Sequence, residues 1–384
     1  MKKPKFNRKR FNILFITLLF LSLPVTGNFE PKILERLGLI VAVGYDKMPK
    51  NKIRATSVLH QVDPQSKNSV IVLSSEALTS KGSRNSSNRK SHKRLVSGQL
   101  RVAIYNIDLA KDGIFPLVDT LYRDSSIANT VYLAVSKTDT KELLSHEYPE
   151  IGNIGTFIVD NIRQNIIREQ MVSSTLHEFL ESYYSLEDPM MPLLDRKDNV
   201  VELKDVALFR DGQMVGTINP TETFLMKLIR DRYSAGSVEI SIEMERMKRK
   251  LPQLKNINEK YLRMVIDNIK NNTNIRLMSR KPLKFGITVK IDGILKETSE
   301  EMSLGDPKVI RVLEEEVSRY LRLRSERLMT KLTDLNSDPI GLGEVYRAKI
   351  YRSGLTNKKW RQMYPEAEFD IKVKTTIVRT GEID

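Results

Sequence analysis

Leu37-Gly38-Leu39-Ile40-Val41-Ala42-Val43-Gly44 is a continuous apolar run of strand length, with no polar residue alternating through it. A run of that kind fits a strand buried on both faces, so a sheet covered by helices on both sides is the expected setting. Ile53–His60 and Val70–Leu73 are the neighbouring strand candidates, and Leu100–Tyr105 and Val131–Val135 follow. Between and after them, Ile107–Lys111, Phe115–Tyr122, Thr138–Leu144, Asn153–Arg168 and Ser174–Tyr184 carry helical spacing. In the last of these Ser174 is the expected N-cap, and Leu176, Phe179, Leu180 and Tyr183 share a face. Strand and helix in alternation predict a mixed α/β architecture. Ser74–Ser97, rich in Ser, Lys, Arg and Asn, reads as a weak amphipathic helix or a solvated basic loop.

Farther along, Leu186–Asn199 (LEDPMMPLLDRKDN) combines prolines with charges and reads as a linker between domains. Val206–Arg210 and Met214–Ile218 flank Asp211-Gly212, a pair that tolerates positive φ and so signals a hairpin. Asn219, Pro220 and Glu222 supply N-cap, first-turn proline and capping-box acid for a helix through Arg232. Val238–Met244 and Phe285–Ile291 have period two, whereas Glu259–Lys270 reads as a helix through Leu262, Val265, Ile266 and Ile269. Asp306-Pro307 caps a long helix to about Lys331, Asp338-Pro339 starts another through Tyr346, and Phe369–Val378 closes the chain as a strand. The expected fold is α+β, mixed α/β, in three domains of mixed sheet with packed helices. The expected boundaries are 28–198, a small hairpin-helix unit at 199–236, and 237–384, behind a leader at 1–27.

That leader has a basic start to Arg10 and an apolar stretch from Phe11 to Val25, and no acid in its 27 residues. The stretch is short for a permanent span and right for an export signal, so it is a signal peptide or an N-terminal anchor. The whole chain carries 63 Lys+Arg against 48 Asp+Glu, or +15, and removing the leader's six cations leaves 15 − 6 = +9. A modest positive excess favours anionic surfaces such as lipid headgroups or wall polymer and says nothing of catalysis. The chain has no Cys, which excludes disulfides, thiolate metal sites, thiol nucleophiles and lipid attachment through sulfur.

No catalytic constellation is apparent in what remains. His60, His92, His146 and His177 are isolated from one another, so no metal site is expected. Gly341-x-Gly343 lacks the third glycine of a dinucleotide loop, and no phosphate-loop or serine-elbow motif is present. Glu314–Glu316 are expected to pair with Arg311, Arg319 and Arg322 along the long helix, and Asp119 and Asp124 with Arg123. Trp360, the single tryptophan, is expected to pack in the C-terminal core. Catalytic, cofactor-binding and metal residues are all expected to be none, with no nucleic-acid partner.

Leu39–Asp46 (LIVAVGYD), Leu109–Ile114 with Leu117–Asp124, the hairpin Val206–Gly216 with Glu222-Thr223, Asp338–Gly343 (DPIGLG), Trp360, and Phe369–Gly381 (FDIKVKTTIVRTG) follow one another in order along the chain. Together these segments resemble one family, the GerAC-like C subunits of bacterial spore germinant receptors. The family carries an acylated Cys at the leader boundary; here Asn28 stands in that place, and an amide cannot form the thioether. The resemblance implies a non-enzymatic subunit required for germination, exported to the outer face of the spore inner membrane and not lipidated. Its implied partners are two integral-membrane receptor subunits, one of them transporter-like, and the membrane surface, with no cofactor. A secreted wall-associated hydrolase or binding protein is the alternative reading.

Overall fold

A computed structural model describes residues 36–60, 70–232 and 236–380. The leader, Asn28 and Ala235 lie outside the described residues. In the first half the strands are β1 (Leu37–Met48), β2 (Lys52–His60), β3 (Val70–Ala77), β4 (Arg94–Val96), β5 (Val102–Asn106), β6 (Tyr132–Ser136), β7 (Met190–Lys197), β8 (Val200–Arg210) and β9 (Gln213–Ile218). They form one sheet in the order β3-β2-β1-β5-β6-β7-β8-β9, with β4 also paired to β1. Its middle strands β1, β5, β6 and β7 are parallel, and antiparallel pairs complete both edges.

The apolar run at the start of β1 is covered on both faces, as its composition dictates. Ile40, Val43 and Tyr45 pack in a core with α2 (Ile107–Asp112), α3 (Phe115–Tyr122) and α6 (Leu176–Tyr184). Val41 and Ala42 pack in a second core with α4 (Thr140–Ser145) and α5 (Ile154–Ile167). The Ser/Lys/Arg-rich segment resolves into α1 (Ser80–Asn88), capped by Thr79, followed by β4. The cap of α6 is Thr175 rather than Ser174, in a complete capping box with Glu178.

The second half builds a four-stranded sheet, β10 (Val238–Glu243), β11 (Tyr261–Arg280), β12 (Leu283–Thr298) and β13 (Glu368–Thr380), in that order, with only the last pair parallel. Its helices are α7 (Pro220–Arg230), α8 (Met244–Lys250), α9 (Pro307–Asp334), α10 (Leu342–Lys349) and α11 (Asn357–Met363). Asp306 caps α9 with its side chain on the Lys308 N–H, as its Asp-Pro start predicts. The outer edge of β13 is closed by that helix: Ser318 Oγ accepts from the Thr375 N–H at 2.9 Å and Glu314 Oε1 from the Ile377 N–H at 2.8 Å. An edge covered in this way offers fewer free backbone groups to a passing strand.

Three local expectations are corrected. Residues 190–197 are not linker but β7, whose first six residues are buried. Charge and proline misled there because Asp195 is satisfied by Lys137 and Lys204, at 3.3 and 3.2 Å, and Pro192 sits beside a register irregularity at Leu193/Leu194, a setting in which sheets tolerate proline. Glu259–Lys270 lies in β11 rather than a helix. Its buried residues are Leu262, Met264 and Ile266, a period of two, and the irregularity between Asp267 and Lys270 places Ile269 inward and mimics helical spacing. Asp338 does not begin a helix; α10 starts at Leu342, after Gly341 in the left-handed region at φ 78°.

The hairpin-helix unit expected at 199–236 does not stand apart. Its strands β8 and β9 are hydrogen-bonded into the first sheet, while Phe224, Leu225, Leu228 and Ile229 of α7 enter the core of the second. That core also holds Met171, Met190, Val206, Leu208 and Ile218, so apolar packing is continuous from one sheet to the other.

Candidate functional site

A buried polar cluster lies where the two sheets meet, around the segment Asp338–Gly343. The turn between α9 and α10 exposes a row of N–H groups. Oδ1 of Asp338 accepts from the Gly341 and Leu342 N–H, both at 3.0 Å, and Oδ2 from the Gly343 N–H at 2.9 Å and Trp360 Nε1 at 3.1 Å. The glycines are needed for distinct reasons. Gly341 holds positive φ, whereas a Cβ on Gly343 would stand 2.8 Å from Leu186 Cβ and 3.0 Å from the Trp360 ring.

Across the joint, the Asp338 N–H donates to Asp188 Oδ2 at 2.7 Å, and the Asp188 N–H donates back to the Asp338 carbonyl at 2.9 Å. Arg361 of α11 donates to both oxygens of Asp188 and reaches Asp211 of the β8–β9 turn at 3.5 Å. Ser337 Oγ donates to the Phe209 carbonyl at 2.8 Å, and the Leu186 N–H to Glu344 Oε1 at 2.9 Å. Burial pushes the Asp338 carboxyl up to about 7 against the donors from Gly343, Leu342 and Trp360, and raises Asp188 too, against its Arg361 partner. With both carboxylates fully buried and every oxygen of Asp338 occupied by a donor, this arrangement clamps the two sheets together.

A second feature lies under α1. Arg84 Nη1 donates to Ser97 Oγ and Asp124 Oδ2, each at 2.9 Å, beside a pocket of about 40 Å³ lined by Tyr45, Ser57, Ser87, Leu100 and Leu121. That space exceeds the roughly 10–15 Å³ that one buried water needs, so the pocket has room for water between Arg84 and Tyr45. Burial raises the Tyr45 hydroxyl above its ordinary range, with Arg84 opposing the shift.

The residues singled out in the sequence are dispersed. His60 and His92 are exposed, His146 bonds Asn199 at 2.8 Å, and His177 faces Glu181 at 4.0 Å. Among the described residues no three His, Asp or Glu side chains converge as metal ligands. Arg123 pairs with Asp119 at 2.7 Å, but Asp124 turns to Arg84 instead. Glu314 bonds the β13 backbone, Glu315 pairs with Lys250, and Glu316 is buried between Arg246, Lys250 and Arg319, so the expected partners Arg311 and Arg322 are not used. Trp360 is fully buried in the second core, edge-on to Phe285 and near Tyr364. Sequence reading missed Asp188 and cast Asp338 as a helix cap. The available signal was the Asp-Pro-x-Gly-x-Gly spacing, which lines up small residues and free N–H groups beside one carboxylate.

Comparison with known proteins followed the same two halves. Residues 30–196 match the family described as spore germination protein N-terminal domain, and residues 204–381 match spore germination B3/GerAC like, C-terminal. Spore germination protein GerQC of Bacillus cereus is 24% identical over 369 residues, covering 96% of this chain and 98% of that protein. Putative spore germination protein YfkR of Bacillus subtilis (strain 168) is 19% identical over 293 residues, covering 73% of this chain and 71% of its own length. The crystal structure of the GerBC protein shares the fold at a TM-score of 0.55 and 14% identity, over 88% of this chain and 96% of that one. The break between the two matches falls at the β7–β8 turn, although the strands on either side of it are sheet partners.

Proposed function

We propose, because this chain belongs to the GerAC-like family of spore germination proteins, that it is a non-enzymatic subunit of a nutrient germinant receptor. It is exported to the outer face of the spore inner membrane and works there by docking on two integral-membrane subunits, one of them transporter-like. The observation that carries the reading is the match to GerQC along nearly the full length of both chains, with both family domains in order. The clamp at Asp338 and Asp188 supports it physically, because a scaffold that transmits docking needs its two sheets held in one fixed relation. Asn28 stands at the position acylated in the family, so attachment rests on the leader and the partners rather than on a thioether.

Affinity purification of the tagged chain from detergent-solubilised spore membranes tests this directly. Two multi-span proteins in stoichiometric amounts are expected, along with a germination defect in its deletion strain. Recovery of the chain alone, with deletion leaving nutrient germination intact, overturns the reading. Labelled palmitate supplied during sporulation is expected to leave the native chain unlabelled, and label on it would refute the thioether argument.

A further inference from the structure

From Ala77 through Ile107 the sequence contains no Asp or Glu, yet it carries seven Lys or Arg. The fold gathers part of this charge at one place. Helix α1 reverses the direction of β3, and the turn after it returns to the end of the sheet where β1 begins. There Leu37 pairs with Arg94 and Gly38 with Leu95 in parallel register, so Arg36 and Lys93 stand just ahead of paired residues. Arg36, Arg89, Lys90 and Arg94 are exposed. Lys90 donates to the Ser74 carbonyl and Arg89 to Ser86 Oγ, neutral partners that leave the charge uncompensated. Among the described residues, Asp124 is the one acid that an ion pair links to residues 80–94, and it is taken by Arg84.

This basic end is also where the chain arrives from the leader. The eight residues 28–35 lie between the last leader residue and Arg36, and at full extension they reach at most about 28 Å. We propose that the turn 89–94 together with Arg36 is a membrane-facing surface that docks on anionic phospholipid headgroups and orients the first sheet over the bilayer. The inference rests on the exported, membrane-associated reading above. Two independent features coincide in it: charge complementarity to an anionic surface, and a tether that joins the fold at the same edge.

The test uses the full chain and vesicles of phosphatidylglycerol or of phosphatidylcholine. The full chain keeps the leader, whose apolar stretch favours both vesicles and whose cations favour the anionic one, so the informative quantity is the change between native chain and the variant Arg89→Gln, Lys90→Gln, Lys93→Gln, Arg94→Gln. A well-placed Lys or Arg near an anionic surface is worth roughly fivefold in partitioning, so the four together are expected to lower the phosphatidylglycerol preference at least tenfold. The charge-preserving pair Arg89→Lys, Arg94→Lys is expected to keep that preference, and raising salt is expected to erode it in the native chain and in this pair, and by less in the Gln variant, where the leader cations alone remain. An unchanged preference in the Gln variant overturns the proposal, as does patch-dependent binding to duplex DNA or anionic wall polymer without lipid preference. If the Gln variant still co-purifies with the membrane subunits, the receptor reading stands whatever the vesicles report. Loss of co-purification in the native chain would defeat that reading separately.

Discussion

The Asp338 carboxylate receives four donated hydrogen bonds and offers no room for a donor of its own. At pH 8 it is ionised even with burial pushing it up to about 7, and Asp338→Asn then sets an amide NH₂ against N–H groups. The expected loss is about 2–4 kcal/mol, because unmatched donors are left buried in the joint. Urea unfolding followed by the fluorescence of Trp360, which touches that carboxylate, measures it; a loss below about 0.5 kcal/mol would show the clamp to be ornamental. At the β8–β9 turn, Asp211 and Gly212 have φ of 51° and 78°, the two-residue hairpin that the sequence predicts. Gly212→Val adds backbone strain and a Cβ 3.0 Å from that of Phe115. It should cost roughly 1–2 kcal/mol, and an unchanged melting temperature would refute the assignment.

At the scale of elements, α9 is held to α8 by charge as well as by apolar contact. Glu316 is buried on α9, and although burial alone would raise its pKa, the donors Arg246, Lys250 and Arg319 outweigh it and hold the carboxyl at about 2. The sign follows from linkage. A folded-state value below the ordinary 4.5 means that the folded chain resists protonation, so the stabilisation is complete above about pH 4.5 and is lost as pH falls toward 2. Its size is about 2 kcal/mol after allowing for partners that are about a third exposed. The unfolding free energy from denaturant melts should therefore fall less between pH 5 and 2.5 for Glu316→Gln than for the native chain, and parallel pH dependences would remove Glu316 from the account. The strand β11 teaches a complementary lesson. One irregular stretch between Asp267 and Lys270 shifts the apolar phase, and a strand with such a shift is indistinguishable from a helix by spacing alone.

For the whole molecule, the hairpin of residues 200–218 belongs to the first sheet while the helix that follows it fills the core of the second. The two halves are thus joined by shared apolar packing and by Asp188, Asp338 and Arg361. Unfolding traced by Trp360 fluorescence in the second core and by far-ultraviolet circular dichroism over both sheets should coincide in one transition. Arg361→Ala, which strands Asp188, is expected to separate them. Two resolved transitions in the native chain would show the halves to be independent. By itself the sequence determined the buried first strand, the Asp-Gly turn, the capped helices at Asn219 and Asp306, and the family, because each depends on neighbours within a few residues or on residue identity in order. It could not determine that Leu186–Asn199 contains a core strand, that Asp338 accepts from its own turn and from Trp360, or that cations near residue 90 stand beside residue 36. Those outcomes rest on partners far away in the chain: strand pairing and burial reward contacts that only the closed fold creates, and a charge that looks solvated in sequence is placed by whichever distant group neutralises it.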